Sequence, residues 1–415
     1  MKIQINRPEF IKAWQMAERV VNPKGTIPAL GGIMLTAEGR RVTLSATDMR
    51  MSLRCVTGGV EADSSGSAML PVKLLGELFK KAPEDVFTVD FKDDKGTMVA
   101  GRNKTRFTSW SAADFPDLPK IGDADLLCSV SASDLLRLLS EGSAAGSVTD
   151  EFPKYLGACL VQLKSGKLNV ISTDAQRLSL SRRTVEMADR EGGQAEPEGS
   201  SDLLIPVGPL RELQRMITPF AAKDDNRIEI LYDSSLAWFR FGIDEERVEF
   251  SVRRVESSFP NYERLLDPNS TTSVVVNRGG LIASLERIDP VVRHRNRIVV
   301  MYVSPGAETI RMSGKAPETG IAVERLQADS EGEAMRAGFN VGYLLDGLRS
   351  IDSENVRLNM NGEAGQLTMG RSNADDFLYI LMPVRLADQD IVEEGEEDGE
   401  RRPEPEPEPV EALPF

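Results

Sequence analysis

Pro71-Val-Lys-Leu-Leu-Gly-Glu-Leu-Phe-Lys-Lys81, Pro206-Val-Gly-Pro-Leu-Arg-Glu-Leu-Gln-Arg-Met216 and Asn340-Val-Gly-Tyr-Leu-Leu-Asp-Gly-Leu-Arg349 are three versions of one segment, starting 135 and 134 positions apart. A repeat of that length is the size of a small domain, so the 415 residues divide into three related units rather than one large core. Each version enters from a short β-like run and then keeps helical spacing. Leu74, Leu75, Leu78 and Phe79 form the apolar stripe of the first, and Leu210, Leu213 and Ile217 that of the second. Lys73, Lys80, Arg211, Arg215 and Arg349 fall on the polar faces.

A second series opens another helix in each unit: Asn6-Arg-Pro-Glu-Phe-Ile11, Ser131-Ala-Ser-Asp-Leu-Leu136 and Asn277-Arg-Gly-Gly-Leu-Ile282. Asn6 with Glu9 and Ser131 with Asp134 have the spacing of capping pairs, and Phe10, Ile11, Trp14 and Ala17 form the first helix's buried stripe. A third series is a strand ending in a polar knot, Leu44-Ser-Ala-Thr-Asp48 against Val170-Ile-Ser-Thr-Asp174, and further short strands are read at Arg247–Val252 and Arg297–Val303. Two helices and about eight strands per unit predict an α+β fold, helices packed on antiparallel sheets. The unit boundaries are placed at 1–125, 126–268 and 269–386, with an exposed insertion rich in Glu, Gly, Ser and Pro at 186–202.

Beyond Leu386 the patterning stops. Residues 387–415 hold twelve Asp or Glu against two Arg, and the run Pro403-Glu-Pro-Glu-Pro-Glu-Pro409 cannot bury enough apolar surface to offset its ordering, so this acidic tail is read as disordered. It carries −10 of the formal net charge of −15, which leaves −15 − (−10) = −5 for the body, nearly balanced and free to present local basic faces.

Composition narrows the chemistry. At 40% hydrophobic and 28% charged the chain reads as a soluble protein; no run approaches the roughly 20 apolar residues of a membrane span, and the N-terminus lacks a leader pattern, so the expected location is the cytoplasm. Cys55, Cys128 and Cys159 are too widely spaced for a disulfide framework or a metal site and are read as reduced core residues. The only histidine, His294, sits in the basic loop Val292-Arg-His-Arg-Asn-Arg297, so any triad, Cys-His pair or histidine metal site would have to hang on it, and a solvated basic loop is the simpler reading. Paired acids such as Asp224-Asp225 are what a metal-dependent enzyme could use, but Lys223-Asp-Asp-Asn226 reads as a turn. Neither catalysis, a cofactor nor a metal is expected. Basic helix faces suit phosphate contact without base reading, although composition alone equally allows ordinary solvated faces.

Seven segments in order resemble the bacterial DNA polymerase III β subunit, the family of β sliding clamps: Ile27-Pro-Ala-Leu-Gly31, Ala46-Thr-Asp-Met-Arg-Met51, Ala112-Ala-Asp-Phe-Pro-Asp-Leu118, Ser172-Thr-Asp-Ala-Gln-Arg-Leu178, Phe259-Pro-Asn-Tyr-Glu-Arg-Leu-Leu266, Gly338-Phe-Asn-Val-Gly-Tyr-Leu-Leu-Asp346 and Tyr379-Ile-Leu-Met-Pro-Val-Arg-Leu386. The resemblance spans residues 1–386. It implies three tandem DNA-clamp domains forming half of a ring, closed by a head-to-tail homodimer around duplex DNA without sequence specificity. The partners it implies are the replicative polymerase's catalytic subunit, a clamp loader, and other proteins with clamp-binding motifs such as repair polymerases, mismatch-repair proteins and ligase.

The resemblance also implies sites. Partner peptides would dock on Leu156, Thr173, Ala175, Arg177, Leu178, Pro260, Arg264, Leu265, Asn340, Tyr343, Met382, Pro383, Val384, Arg385 and Leu386. Leu, Val, Met and Pro receive apolar anchors there, while Arg177, Arg264 and Asn340 hold polar groups; without the family, Met382–Leu386 is an edge strand blunted by Pro383. Lys24, Lys73, Lys80, Lys154, Tyr155 and Arg215 fall on DNA-contacting positions, and Phe107 and Val291 are expected at the apolar centre of the ring interface. Two departures stand out: Ala175-Gln176 replaces the family's frequent Gly-His, and Val207-Gly208 replaces a basic pair, for which Arg211 compensates. The tail's end, Glu411-Ala-Leu-Pro-Phe415, resembles the Leu and Phe anchors of clamp-binding peptides and suggests competition for the chain's own pocket. The simpler alternative is an electrostatic, solubilising tail. Two other functions remain open at this level: a repeat-built scaffold without DNA, and a metal-dependent enzyme.

Overall fold

A computed structural model describes residues 1–393 except 40, 93, 148–152, 186–201, 223–225, 244–245 and 267–268. The expected insertion, apart from Asp202, the Asp224-Asp225 pair and the tail from residue 394 onward lie outside the described residues. Met1–Asn261 and Tyr262–Phe415 form two compact units.

Among the described residues six α-helices answer the two helix series: α1 Arg7–Glu18, α2 Val72–Lys80, α3 Ala132–Gly142, α4 Val207–Ile217, α5 Arg278–Val292 and α6 Val341–Ser350. They pack in sequential pairs, α1 on α2, α3 on α4 and α5 on α6. Ser131 caps α3 as expected, its Oγ accepting from Asp134 N at 3.0 Å and donating to Asp134 Oδ2 at 2.7 Å. Asn277 and Asn340 cap α5 and α6 through Gly280 N and Tyr343 N. Asn6 does not act as a side-chain cap: Pro8 removes the N–H at the second helical position, one of the two such a cap would use, and Glu9 lies against Gly59 instead. The stripe of α1 is Phe10, Ala13, Trp14 and Ala17, with Ile11 on its margin. On α2, Leu75 and Phe79 are buried with Val72 and Gly76, whereas Leu74, expected in the stripe, is 47% exposed because helical geometry places it nearly opposite the face shared by those four residues.

In Met1–Asn261 all the strands pair antiparallel. A first sheet is built on Lys2–Asn6 and ends at the edge strand Asn103–Thr108. A second sheet runs continuously from one copy into the next, because Glu246–Arg253 pairs with Met51–Thr57 in the register Phe250↔Leu53 and Val252↔Met51. A third is built on Ala158–Lys164, Lys167–Thr173, Arg177–Thr184 and Leu203–Pro206. The helices cover these sheets over a large apolar core in which Phe10 and Trp14 meet Phe79 edge-on, Phe79 stacks on Phe87 and Phe239 lies against Phe250, while Ala29, Met34 and Met69 form a smaller separate cluster.

In Tyr262–Phe415 the strand Thr272–Asn277 pairs on one side with Asn355–Met360 and on the other with the end of the 13-residue strand Gly320–Gly332. The beginning of that long strand pairs with Thr309–Ala316 through Ala316↔Gly320 to Thr309↔Gln327. Here the patterned chain extends past Leu386. Asp388–Asp390 is a short 3-10 turn, Val392 is buried, Asn296 Nδ2 donates to Asp390 Oδ1 at 2.8 Å, and Arg311 Nη2 donates to Val392 O at 3.1 Å. Residues 387–393, read from the sequence as part of the tail, thus have a seat in the fold: their acid-rich composition conceals an apolar Ile391-Val392 pair and a carboxylate used as a hydrogen-bond anchor.

Candidate functional site

The polar knots of the third series are turns of one construction. In the second copy Thr173 Oγ1 donates to Arg177 O at 2.7 Å and accepts from Ala175 N at 3.1 Å. Asp174 Oδ1 accepts from Gln176 N and Arg177 N at 3.1 and 3.0 Å, and its Oδ2 receives Arg177 Nε at 2.9 Å. The turn requires a left-handed residue, which is Ala175 with φ +72°. Thus Thr173, Ala175, Arg177 and Leu178 come together through Asp174, a residue the resemblance did not nominate although its Thr-Asp signature was visible. Arg177 is a partly buried, pre-oriented guanidinium, and Leu178 is buried behind it. Leu156 is at the edge of burial in the 3-10 turn Lys154–Gly157, which packs on Lys167–Thr173. Pro260 is exposed.

The remaining nominated peptide contacts lie in Tyr262–Phe415. Arg264 is exposed on the 3-10 turn Tyr262–Leu265, which is held by Gln366 Nε2 donating to Leu265 O at 2.7 Å. Asn340 spends its side-chain oxygen capping α6 at Tyr343 N, and Tyr379 OH from the strand Phe377–Leu381 donates to Tyr343 O at 2.9 Å, which ties the start of α6 to that strand. The strand Phe377–Leu381 ends before Pro383, which is therefore not inside it; Val384 N then donates to Gly338 O at 2.8 Å. Leu386 packs over Gly338, where a Cβ would come within 2.5 Å of the leucine side chain, so Gly338 gives Val384 and Leu386 their seat. Met382, Pro383, Val384 and Leu386 are half-buried and Arg385 is exposed.

The nominated cations divide in two. Lys80 Nζ pairs with Glu18 Oε2 of α1 at 2.8 Å, and Arg215 pairs with Glu212, which also receives Arg19 at 3.4 Å. Arg349 pairs with Glu286 of α5 at 2.7 Å. Lys24, Lys73 and Lys154 are exposed and, with Arg211, take part in no ion pair among the described residues. An open hollow of about 340 Å³ between α3 and α4 is lined by Ser140, Ser143, Arg211, Gln214, Arg215 and Thr218, donors without a carboxylate. Arg211 thus stands beside Arg215 on the stretch where Val207-Gly208 lacks charge. Tyr155 meets Phe259 edge-on at 6.0 Å between centroids, an aromatic contact that positions its loop.

At the expected ring edge, Phe107 lies on the strand Asn103–Thr108 with its ring over Gly96 and edge-on to Phe91, 7% exposed in the single chain, while strand alternation turns Arg106 and Thr108 outward. Val291 is half-buried beside the turn that begins Gly320–Gly332, where Thr319 Oγ1 donates to Val291 O at 2.5 Å.

Among the described residues no group of three or more His, Cys, Asp or Glu could hold a metal ion. The three cysteines are buried, and burial pushes the thiols of Cys128 and Cys159 up to about 12, far from a nucleophile's range. His294 is exposed in its basic loop. No helix is long and apolar enough to cross a membrane.

Comparison with known proteins adds to this geometry. Two family models match: the DNA polymerase III beta subunit N-terminal domain over residues 1–119 and its C-terminal domain over residues 263–385, more than half of the chain between them. The curated beta sliding clamp of Pseudomonas putida is 27% identical over 388 residues, spanning 93% of this chain and 100% of that protein, and the beta sliding clamp of Synechococcus elongatus is 26% identical with the same coverage. Among solved structures, the DNA polymerase III subunit beta of Pseudomonas aeruginosa superposes with a TM-score of 0.82 at 26% identity, covering 93% of this chain and 100% of that one. The DNA polymerase sliding clamp of Bacillus subtilis, at 21% identity and a TM-score of 0.83, shares the fold.

Proposed function

The chain belongs to the DNA polymerase III beta subunit family, the DNA sliding clamps, and from that membership we propose how it works: as a non-catalytic, cytoplasmic ring of two protomers that encloses duplex DNA and tethers replication enzymes to it. The observation that carries this reading is the continuous likeness to whole sliding clamps, over 93% of this chain and all of each relative.

The sheet edges support the dimer. Within one protomer, copies join where Glu246–Arg253 meets Met51–Thr57. By the repeat, Asn103–Thr108 corresponds to the first of these strands and the beginning of Gly320–Gly332 to the second. Each has an edge with no partner strand among the described residues, and head-to-tail pairing of two protomers satisfies both. Val291 sits at the start of the second edge and Phe107 on the first, where the backbone ladder would add to their apolar contact.

DNA would pass the helix faces. Lys24, Lys73, Lys154 and Arg211 offer charge that no ion pair among the described residues takes up, while Lys80 and Arg215 share theirs with Glu18 and Glu212, a balance that suits weak, sequence-independent phosphate contact and sliding. Polymerase, loader and repair proteins would dock through short peptides on the turn at Thr173–Leu178 and on Arg264, Asn340, Tyr343 and Met382–Leu386, apolar anchors supplying affinity and Arg177 supplying orientation.

The test is processive synthesis. With a clamp loader and a cognate polymerase on a primed circular template, adding the protein is expected to lengthen the products of a single binding event at least tenfold. Product lengths unchanged by its addition would overturn the reading. Light scattering should find a mass of about 91 kDa, twice the 45.6 kDa chain.

A further inference from the structure

The turn at Thr173 has a twin. Thr47 Oγ1 donates to Met51 O at 2.8 Å and accepts from Met49 N at 3.0 Å; Asp48 Oδ1 accepts from both Arg50 N and Met51 N at 2.8 Å; and Met49 takes the left-handed position with φ +73°. The repeat continues in the segment that follows each copy. Phe115-Pro-Asp-Leu-Pro-Lys-Ile121 runs parallel to Phe259-Pro-Asn-Tyr-Glu-Arg-Leu265, setting Pro116 against Pro260, Lys120 against Arg264 and Ile121 against Leu265. The strand registers agree as well: Leu236↔Arg253 occupies the place of Leu367↔Leu381.

These elements enclose a hollow of about 330 Å³ inside Met1–Asn261, where the first two copies join. Met49, Leu118, Pro119 and Leu236 supply its apolar wall, and Arg50 and Arg253 stand on its rim against one carboxylate, Asp117. Met49 is 51% exposed, an apolar side chain held out at a backbone angle that costs about 1 kcal/mol or more for a residue with a Cβ. Arg253 is anchored by donating from Nε to Met49 O at 3.2 Å, which ties rim to turn.

We propose that this hollow is a second peptide-docking site, the repeat's counterpart of the partner site, and that its occupant is a partner protein's short extended peptide carrying a bulky apolar side chain next to a carboxylate. The apolar wall takes the side chain, flexible Met49 adapting to its shape, and the two guanidinium groups favour the acid. Where the partner site offers Arg177 and Leu178, this one offers Met51 and Ser52, so the two select different peptides. The inference rests on the sliding-clamp reading for the kind of ligand, and on the hollow and its repeat symmetry for the place.

A synthetic Glu-Ala-Leu-Pro-Phe peptide with a benzophenone on its Phe side chain tests it on the full chain. Irradiation is expected to attach the probe to Met49 or to Asp117–Pro119, and Arg253→Glu, an exposed change, to cut that adduct at least tenfold. Met49→Gly, which keeps the turn, should also abolish attachment there. Adducts confined to other surfaces, or an adduct at Met49 indifferent to Arg253→Glu, would overturn the second site. Processive synthesis measured on the same preparation separates failure of this site, with processivity retained, from failure of the clamp reading.

Discussion

The turns at Thr47–Ser52 and Thr173–Leu178 share a backbone and differ in what they present. In both, a threonine hydroxyl bridges the turn, an aspartate collects two backbone N–H groups, and a non-glycine residue is left-handed. The first then exposes Met49 and Arg50 and follows with the polar Ser52. The second tucks Arg177 onto its own Asp174 and buries Leu178. Threonine and aspartate fix where the backbone goes, and the neighbouring side chains set what each turn presents. The repeat thus carries one frame with two surfaces.

Substitutions sharpen or break that contrast. The largest effect is expected for Leu178→Ala, which empties a buried site and should lower stability by roughly 2 to 5 kcal/mol, whereas Ser52→Ala at the same register should cost under about 1 kcal/mol. Urea unfolding midpoints measure both, and equal losses would mean the second turn is not packed more deeply than the first. Next comes Asp174→Ala, expected to cost about 2 to 3 kcal/mol because two backbone donors and the Arg177 guanidinium lose their acceptor. Asp48→Ala loses only the backbone pair and should cost about 1 to 2 kcal/mol. A partner-site peptide should also bind Asp174→Ala about tenfold more weakly, yet bind Asp48→Ala normally. Smallest is the gain from relieving the left-handed residue: Ala175→Gly and Met49→Gly should each stabilise by roughly 0.5 to 1 kcal/mol, seen as a raised melting temperature. A loss at either position would show that the two frames differ after all.

Much of this was legible in the sequence, for local reasons. Helical spacing around Leu210, Leu213 and Ile217 is a property of neighbouring residues, and the buried stripe of α4 contains all three. The capping pair Ser131 and Asp134 is equally local. What escaped was non-local or masked by composition. Pairing of Phe250 with Leu53 joins strands about 200 residues apart and leaves no periodic trace in either. Lys80 reads as a free cation until α1 brings Glu18 to it, and nothing in the sequence announces that Gly96 leaves the space in which the Phe107 ring lies. At the C-terminus, acid-rich composition hid the anchoring of Asp390 and Val392. Among the site residues, the sequence pointed to Arg177 and Leu178 through family likeness, but only the hydrogen bonds identify Asp174 as their organiser.

The central claim is that DNA is held by enclosure and not by adhesion. It is tested most directly by loading the protein onto a nicked circular plasmid, then following its release by gel filtration before and after one restriction cut. Enclosure predicts that the protein stays with the circle and slides off within minutes of linearisation, even at salt concentrations that dissolve phosphate contacts. Equal retention on circular and linear DNA would contradict it.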